Sequence, residues 1–204
     1  MKTILQLNSS LNGPAGHSSR LADALVARLR AQYPGARLVV RDLAREPVPH
    51  LDAERFGAFT ARERSAPQQA VVDYSDMLID ELRRADLIVL AVPMYNFGVP
   101  SPFKAWIDHV ARAGVTFRYT DKGSIGLLGG RKVYVVSTRG GRYAGTGTDT
   151  ETPYLRQVLG FLGITDVEFI VAEGLALGDA SREAALAAAR AEIGRIGREA
   201  ALAA

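Results

Sequence analysis

The run Leu87-Ile88-Val89-Leu90-Ala91-Val92 sets the strongest limit on what this chain can fold into. Its unbroken apolar character, without polar alternation, describes a strand covered on both faces, the kind found in parallel sheets between helical layers. Other short β-rich runs lie at Thr3 to Leu7, Arg37 to Arg41, Lys132 to Ser137 and Val167 to Val171. Helical patterns separate them. One starts at about Ser18, capped by Ser18 or Ser19, with Leu21, Leu25 and Leu29 at four-residue spacing, and stops at Tyr33-Pro34-Gly35. A second runs from Gln68 to Arg84 with Val71, Tyr74, Leu78 and Leu82 on one face. A third is capped by Ser101 with Pro102 at its first position, runs to about Arg112 and stops at Gly114. The last two span about Pro153 to Leu162, and Ser181 to Ala204 with Leu186, Ala189, Ile193 and Ile196 inward.

Strands alternating with helices in this way predict an α/β fold, a doubly wound parallel sheet with helices on both faces. The usual orders of such sheets include 2-1-3-4-5, in which strands 1 and 3 are neighbours wound in opposite directions and the loops that follow them face each other. Between these elements, Ala44 to Ala66 reads as an irregular excursion with room for one short helix. Val115 to Thr120 reads as extended, and Gly123, Gly126, Gly129 and Gly130 as a loop. The length of 204 residues suits a single domain over 1–204.

Composition narrows the chemistry. The chain has no cysteine, which excludes disulfides, a thiolate nucleophile and a cysteine metal site. Its net charge of +3 comes from basic residues spread along the chain, so no nucleic-acid patch is expected. Neither a signal-peptide core nor a stretch of transmembrane length is visible, and a cytoplasmic location with no membrane partner is the expectation. His17, His50 and His109 do not form a metal-ligand pattern, and no Gly-x-Ser-x-Gly elbow exists.

Three loops remain as candidate sites, all expected at one edge of the sheet. The first, Ser9 to Ser19, has four serines, Gly13, Gly16 and His17, no acidic residue, and a helix N-terminus where amides and the helix dipole favour an anion. It is neither a Walker A loop nor the Gly-x-Gly-x-x-Gly dinucleotide fingerprint, and an ordinary capped turn is the competing reading. The second, Met94-Tyr95-Asn96-Phe97-Gly98, offers soft and flat apolar surface with one amide, suited to a planar ring with a polar edge; side chains that merely close the core are its alternative. The third, Thr138-Arg139-Gly140-Gly141, permits close backbone approach, with Arg139 placed to offset a negative ring or phosphate; a glycine-rich turn with a solvated arginine is its alternative. One phosphate and one planar ring fit a flavin mononucleotide, and a cofactor that carries the redox chemistry needs no side-chain nucleophile.

The residues Met94-Tyr95-Asn96-Phe97, the run Ala111 to Thr120, Thr138-Arg139-Gly140-Gly141, and Thr152-Pro153-Tyr154-Leu155 followed by Gly160-Phe161-Leu162-Gly163 closely resemble the FMN-dependent NADH:azoreductases of bacteria, in the flavodoxin-like quinone reductase superfamily. The resemblance covers nearly the whole chain. It implies a homodimer with one FMN per protomer and its pocket at the interface, passing a hydride from NADH or NADPH through flavin to a quinone or azo compound in a ping-pong cycle. By position, Ser10, Gly16, His17 and Ser18 would hold the phosphate and ribityl chain. Met94 to Phe97 and Thr138 to Gly141 would hold the ring, while Phe97, Tyr119 and Phe161 would line the substrate pocket. Two departures stand out: Gly16 replaces a serine common in relatives, leaving a backbone N–H to serve, and His17 would add a partly charged phosphate contact. A flavodoxin-like electron carrier without small-molecule turnover is the rival reading, disfavoured by the positive net charge. A binding module that has lost its cofactor is a third.

Overall fold

The computed structural model describes residues 1–196. In chain order its strands are β1 (Thr3–Asn8), β2 (Arg37–Asp42), β3 (Leu87–Pro93), β4 (Phe117–Thr120), β5 (Gly123–Gly126), β6 (Lys132–Thr138) and β7 (Asp166–Ala172). Its helices are α1 (His17–Gln32), α2 (Ala53–Thr60), α3 (Ala66–Arg84), α4 (Ser101–Val110), α5 (Glu151–Phe161) and α6 (Asp179–Arg195). A five-stranded sheet runs in the order β2-β1-β3-β6-β7 with every pairing parallel, the expected 2-1-3-4-5 arrangement.

All seven residues of β3 are buried, and their alternation decides which core each enters. Ile88, Leu90 and Val92 join a cluster with Leu78 and Ile79 of α3, Phe103 and Trp106 of α4, and Leu155 and Leu159 of α5. Leu87, Val89 and Ala91 join Leu21, Leu25 and Leu29 of α1 and Ala189 and Ile193 of α6 on the opposite face. A strand with two apolar faces therefore sits where two helical layers demand it. None of the described helices is long and apolar enough to cross a membrane.

Several local expectations need correction. Neither Ser18 nor Ser19 caps α1: Gly16 is the capping residue and makes no side-chain bond, since both serines already lie within the first turn. Ser101 is likewise inside α4. Pro100 holds the capping position in extended geometry, and its carbonyl accepts the amides of Phe103 and Lys104. That helix stops at Val110, short of Gly114, because the Thr116 hydroxyl donates to the Val110 carbonyl at 2.6 Å and accepts the Arg112 amide at 2.9 Å. The buried face of α3 comprises Val72, Ser75, Leu78, Ile79 and Leu82, with Val71 and Tyr74 half-buried; Ser75 turns inward to donate to the His109 carbonyl.

The glycine-rich stretch after Thr120 is not all loop. Gly123–Gly126 pairs antiparallel with Phe117–Thr120, and a Cβ on Gly126 would lie 2.0 Å from the Gly163 amide nitrogen. Glycine there lets two backbones touch and anchors the β4–β5 hairpin beside the end of α5. In α6, Ala189, Ile193 and the adjoining Ile196 are buried and Leu186 packs against the same core, while the expected continuation over 197–204 lies outside the described residues.

Candidate functional site

At the carboxyl ends of β1 and β3 the chain leaves in opposite directions, and the two loops are tied together. The Ser9 amide and hydroxyl both donate to the Ala91 carbonyl, at 3.2 and 2.8 Å. Next to it, the Ser10 hydroxyl lies 3.4 Å from the Tyr95 hydroxyl, which also accepts the Leu11 amide at 3.3 Å. The loops expected to share a site therefore meet through Ser10 and Tyr95.

After β1 the backbone makes a 3₁₀ turn at Gly13–Ala15 and enters α1 at His17. The Gly16 amide is taken by the Gly13 carbonyl at 3.1 Å, so it is not the N–H that stands in for a lost hydroxyl. A side chain at 16 would put its Cβ 2.3 Å from Ser10 Oγ, so glycine here and the present Ser10 conformation go together. The anion donors left are the first-turn amides, which have no partner within a helix, and the buried, unpaired hydroxyls of Ser18 and Ser19. No acidic residue occupies that first turn. His17 is partly exposed, and its imidazole is held below the ordinary histidine range by burial and then by Arg20, Arg182 and Arg190.

The loop after β3 is a two-residue reversal. Tyr95 and Gly98 exchange backbone hydrogen bonds at 2.9 and 3.0 Å, while Asn96 and Phe97 between them have φ of 49° and 65°. That is the geometry of a type I′ turn, which asparagine tolerates and phenylalanine rarely adopts. The Thr150 hydroxyl donates to the Phe97 carbonyl and fixes the strained residue. Phe97 is 53% exposed, and its ring stands edge-on to Tyr143 with centroids 5.3 Å apart.

The loop after β6 is held by buried charge. The side chains of Arg139 and Glu151 are fully buried. Arg139 pairs with Asp149 at 3.1 Å and Glu151 at 3.3 Å, and donates to Ser137 and Thr152 at 3.1 and 2.7 Å. Its guanidinium is thus committed to the protein's own carboxylates, which corrects the expectation that it offsets a negative ring or phosphate. Burial pushes the Glu151 carboxyl up to about 7. Burial also opposes ionisation of Asp149, but hydrogen bonds from Thr152 and Arg139 outweigh it and hold that carboxyl below the usual range. The carbonyls of Arg139, Gly140 and Gly141 accept the amides of Leu175, Ala176 and Gly174. Among the described residues, the Gly140 and Gly141 amides meet no protein acceptor. Tyr143 lies close over Gly141, where a Cβ would come 2.5 Å from its hydroxyl, and Glu173 grips the Tyr143 and Ala144 amides at 2.8 and 2.9 Å.

Ser10, His17, Met94, Tyr95, Thr138, Arg139 and Gly140 line one cavity of about 150 Å³, joined by Asn12, Pro93 and Leu175. Gly16, Ser18, Asn96, Phe97 and Gly141 are sequence neighbours of that lining. Phe97 also borders a separate, mostly apolar hollow of about 490 Å³ with Val99, Thr150, Glu151 and Tyr154. Tyr119, 74% exposed, and Phe161 instead meet at Phe117, with ring centroids at 5.5 and 4.3 Å. Among the described residues no ring contact joins that group to Phe97. Sequence reasoning missed Tyr143, Asp149, Thr150, Glu151 and Glu173; the only early sign was the pair of acidic residues at 149 and 151 beyond a loop arginine.

These features fit an FMN. Unpaired amides and buried hydroxyls on the first loop suit a phosphate, and the partnerless amides of Gly140 and Gly141 suit the polar edge of a flat ring.

Comparison with known proteins agrees with this geometry. Residues 2–196 match the family described as having a flavodoxin-like fold. An FMN-dependent NADH:quinone oxidoreductase of Alcanivorax borkumensis is 55% identical over 192 residues, covering 93% of this chain and 97% of that protein. One from Burkholderia thailandensis is 54% identical over 198 residues, covering 96% and 100%. Among solved structures, an azoreductase from Bacillus anthracis superposes with a TM-score of 0.89 at 25% identity, covering 98% of this chain and 100% of that one.

Proposed function

The chain belongs to the flavodoxin-like fold family, among the FMN-dependent NADH:quinone oxidoreductases and azoreductases, and from that premise we propose a ping-pong enzyme that reduces quinones and azo compounds at one flavin site. It is an FMN-dependent oxidoreductase that uses NADH. The observation that carries the site assignment is the convergence of Ser10, His17, Met94, Tyr95, Thr138 and Gly140 on one cavity at the sheet's switch point. Bound FMN would supply reversible two-electron chemistry between NADH and the acceptor.

The chain's own part is to bind and orient. The first-turn amides of α1, with Ser10 and Ser18, receive the phosphate. The turn at Tyr95–Gly98 sets one wall for the ring, and the amides of Gly140 and Gly141 offset negative charge at its polar edge. Phe97 covers the acceptor side with Tyr143 beside it.

The pocket expected of Phe97, Tyr119 and Phe161 is open within one chain. Exposed Phe97, Tyr119, Ile125 and Leu127 supply apolar surface for a second copy, which supports a homodimer whose hairpin from one protomer closes the pocket of the other. A cytoplasmic location is part of the same proposal. Anaerobic addition of NADH to the FMN-loaded protein should bleach the flavin, and a quinone or azo dye added after removal of NAD⁺ should restore the colour. Turnover with both substrates present but no bleaching by NADH alone would rule out the ping-pong order, and neither bleaching nor turnover would remove the enzyme reading.

A further inference from the structure

His17 sits at the start of α1 and lines the cavity with Ser10 and Asn12. We propose that His17 takes up a proton when a phosphate-bearing flavin binds and so adds to the preference for FMN over riboflavin, a contribution that is largest in mild acid. The proposal rests on the FMN reading above and adds a proton to it.

The local charges all point the same way. Arg20 comes from α1 itself, while Arg182 and Arg190 come from α6 packed alongside. β1 and β3 themselves carry no ionisable side chain, while Tyr95 and Arg139, which line the same cavity, are tied to Ser10 and to Asp149 and Glu151. Asp179 is engaged with Arg182, and Asp23 with the Gln6 amide. With burial and three guanidinium groups around it, the free imidazole is kept neutral at neutral pH. A phosphate dianion on the first turn reverses the sign of that field and adds a direct acceptor, so the bound imidazole favours its proton.

The sign follows. A histidine whose pKa rises on binding strengthens binding fully below its free pKa, and that gain fades as pH rises through the bound value. A rise of about one unit corresponds to about a tenfold change in affinity. The phosphate's own second ionisation, near pH 6, works in the opposite sense, so the histidine contribution must be read as a difference between variants.

The test is titration of the flavin-free full chain with FMN and with riboflavin by flavin fluorescence at pH 6 to 8.5, for the natural chain, His17→Gln and His17→Lys. Calorimetry at pH 7.5 in two buffers of unlike ionisation enthalpy accompanies it. The expected result is an FMN affinity severalfold weaker in His17→Gln at pH 6, with the gap closing by pH 8.5. FMN binding should take up a fraction of a proton in the natural chain only. His17→Lys, with a fixed charge, should bind FMN tightly without that fading, and riboflavin should not distinguish the three proteins. Tight FMN binding with no proton uptake and a pH-independent gap would overturn the proposal while leaving the FMN site intact. Failure of all three proteins to bind FMN at any pH would overturn the FMN reading itself, and this proposal with it.

Discussion

The turn at Tyr95–Gly98 and the segment from Arg139 to Glu151 lie side by side beyond β3 and β6, yet they keep their shape by different means. The first is short and exposed, closed by two backbone hydrogen bonds, and places Asn96 and Phe97 in left-handed backbone. The second is longer and pinned from beneath by a guanidinium and two carboxylates shielded from water. Thr150, within the second, donates to the Phe97 carbonyl of the first, so the buried cluster also steadies the strained turn. The lesson is a division of labour: strain presents Phe97 to solvent, and charge keeps the neighbouring glycines in register.

Breaking the charged side should have the largest effect. Arg139→Met leaves two buried carboxylates uncompensated and should destabilise the protein by about 3–5 kcal/mol, read as a lower urea midpoint. Adding Glu151→Gln and Asp149→Asn to it should recover much of that loss. Recovery of nothing would mean the arginine acts through packing instead.

A smaller, pH-dependent effect is expected of Glu151→Gln alone. Because the folded carboxyl is pushed up to about 7, above its ordinary 4.5, the fold favours its protonated form. That contribution is fully present below the ordinary value and is lost as pH rises through about 7. Glutamine cannot lose it, so the variant should gain stability relative to the natural chain between pH 6 and 8.5, on the order of 1 kcal/mol. Urea melts across that range decide it; a constant difference would show that Glu151 does not titrate there.

On the strained side, Asn96→Ala should add about 1 kcal/mol of strain and weaken FMN by roughly three- to tenfold. Asn96→Gly relieves the strain and removes the same amide, so comparing their FMN affinities separates backbone from side chain. The smallest effect is expected from Phe97→Gly, which gives up a half-exposed ring and relieves a positive φ. Its thermal midpoint should stay level or rise slightly, while acceptor KM rises. A clear fall in the midpoint would mean the turn is not strained as described.

Much of this was legible in the sequence, for reasons the residues make plain. The apolar run of β3 read as a two-faced strand, and the alternation around it called for a parallel sheet, one usual order of which brings the two loops together. Local patterns also placed Ser10, Met94 to Phe97 and Gly140 at one edge. What stayed hidden depended on contacts across the fold. Arg139 looks like a ligand-binding cation until Asp149 and Glu151 fold beneath it. Gly126 looks like a loop until it meets Gly163, and the Ser18 and Ser19 hydroxyls resemble caps until the helix start is set at Gly16.

The central claim is that these two unlike loops, with the Ser10–Ser18 segment, grip a single flavin. Amide hydrogen exchange with and without saturating FMN tests it most directly. The account predicts simultaneous added protection over residues 10–18, 94–98 and 139–141, with much less change in β2, on the far edge of the sheet. Protection confined to one loop, or centred away from all three, would contradict it.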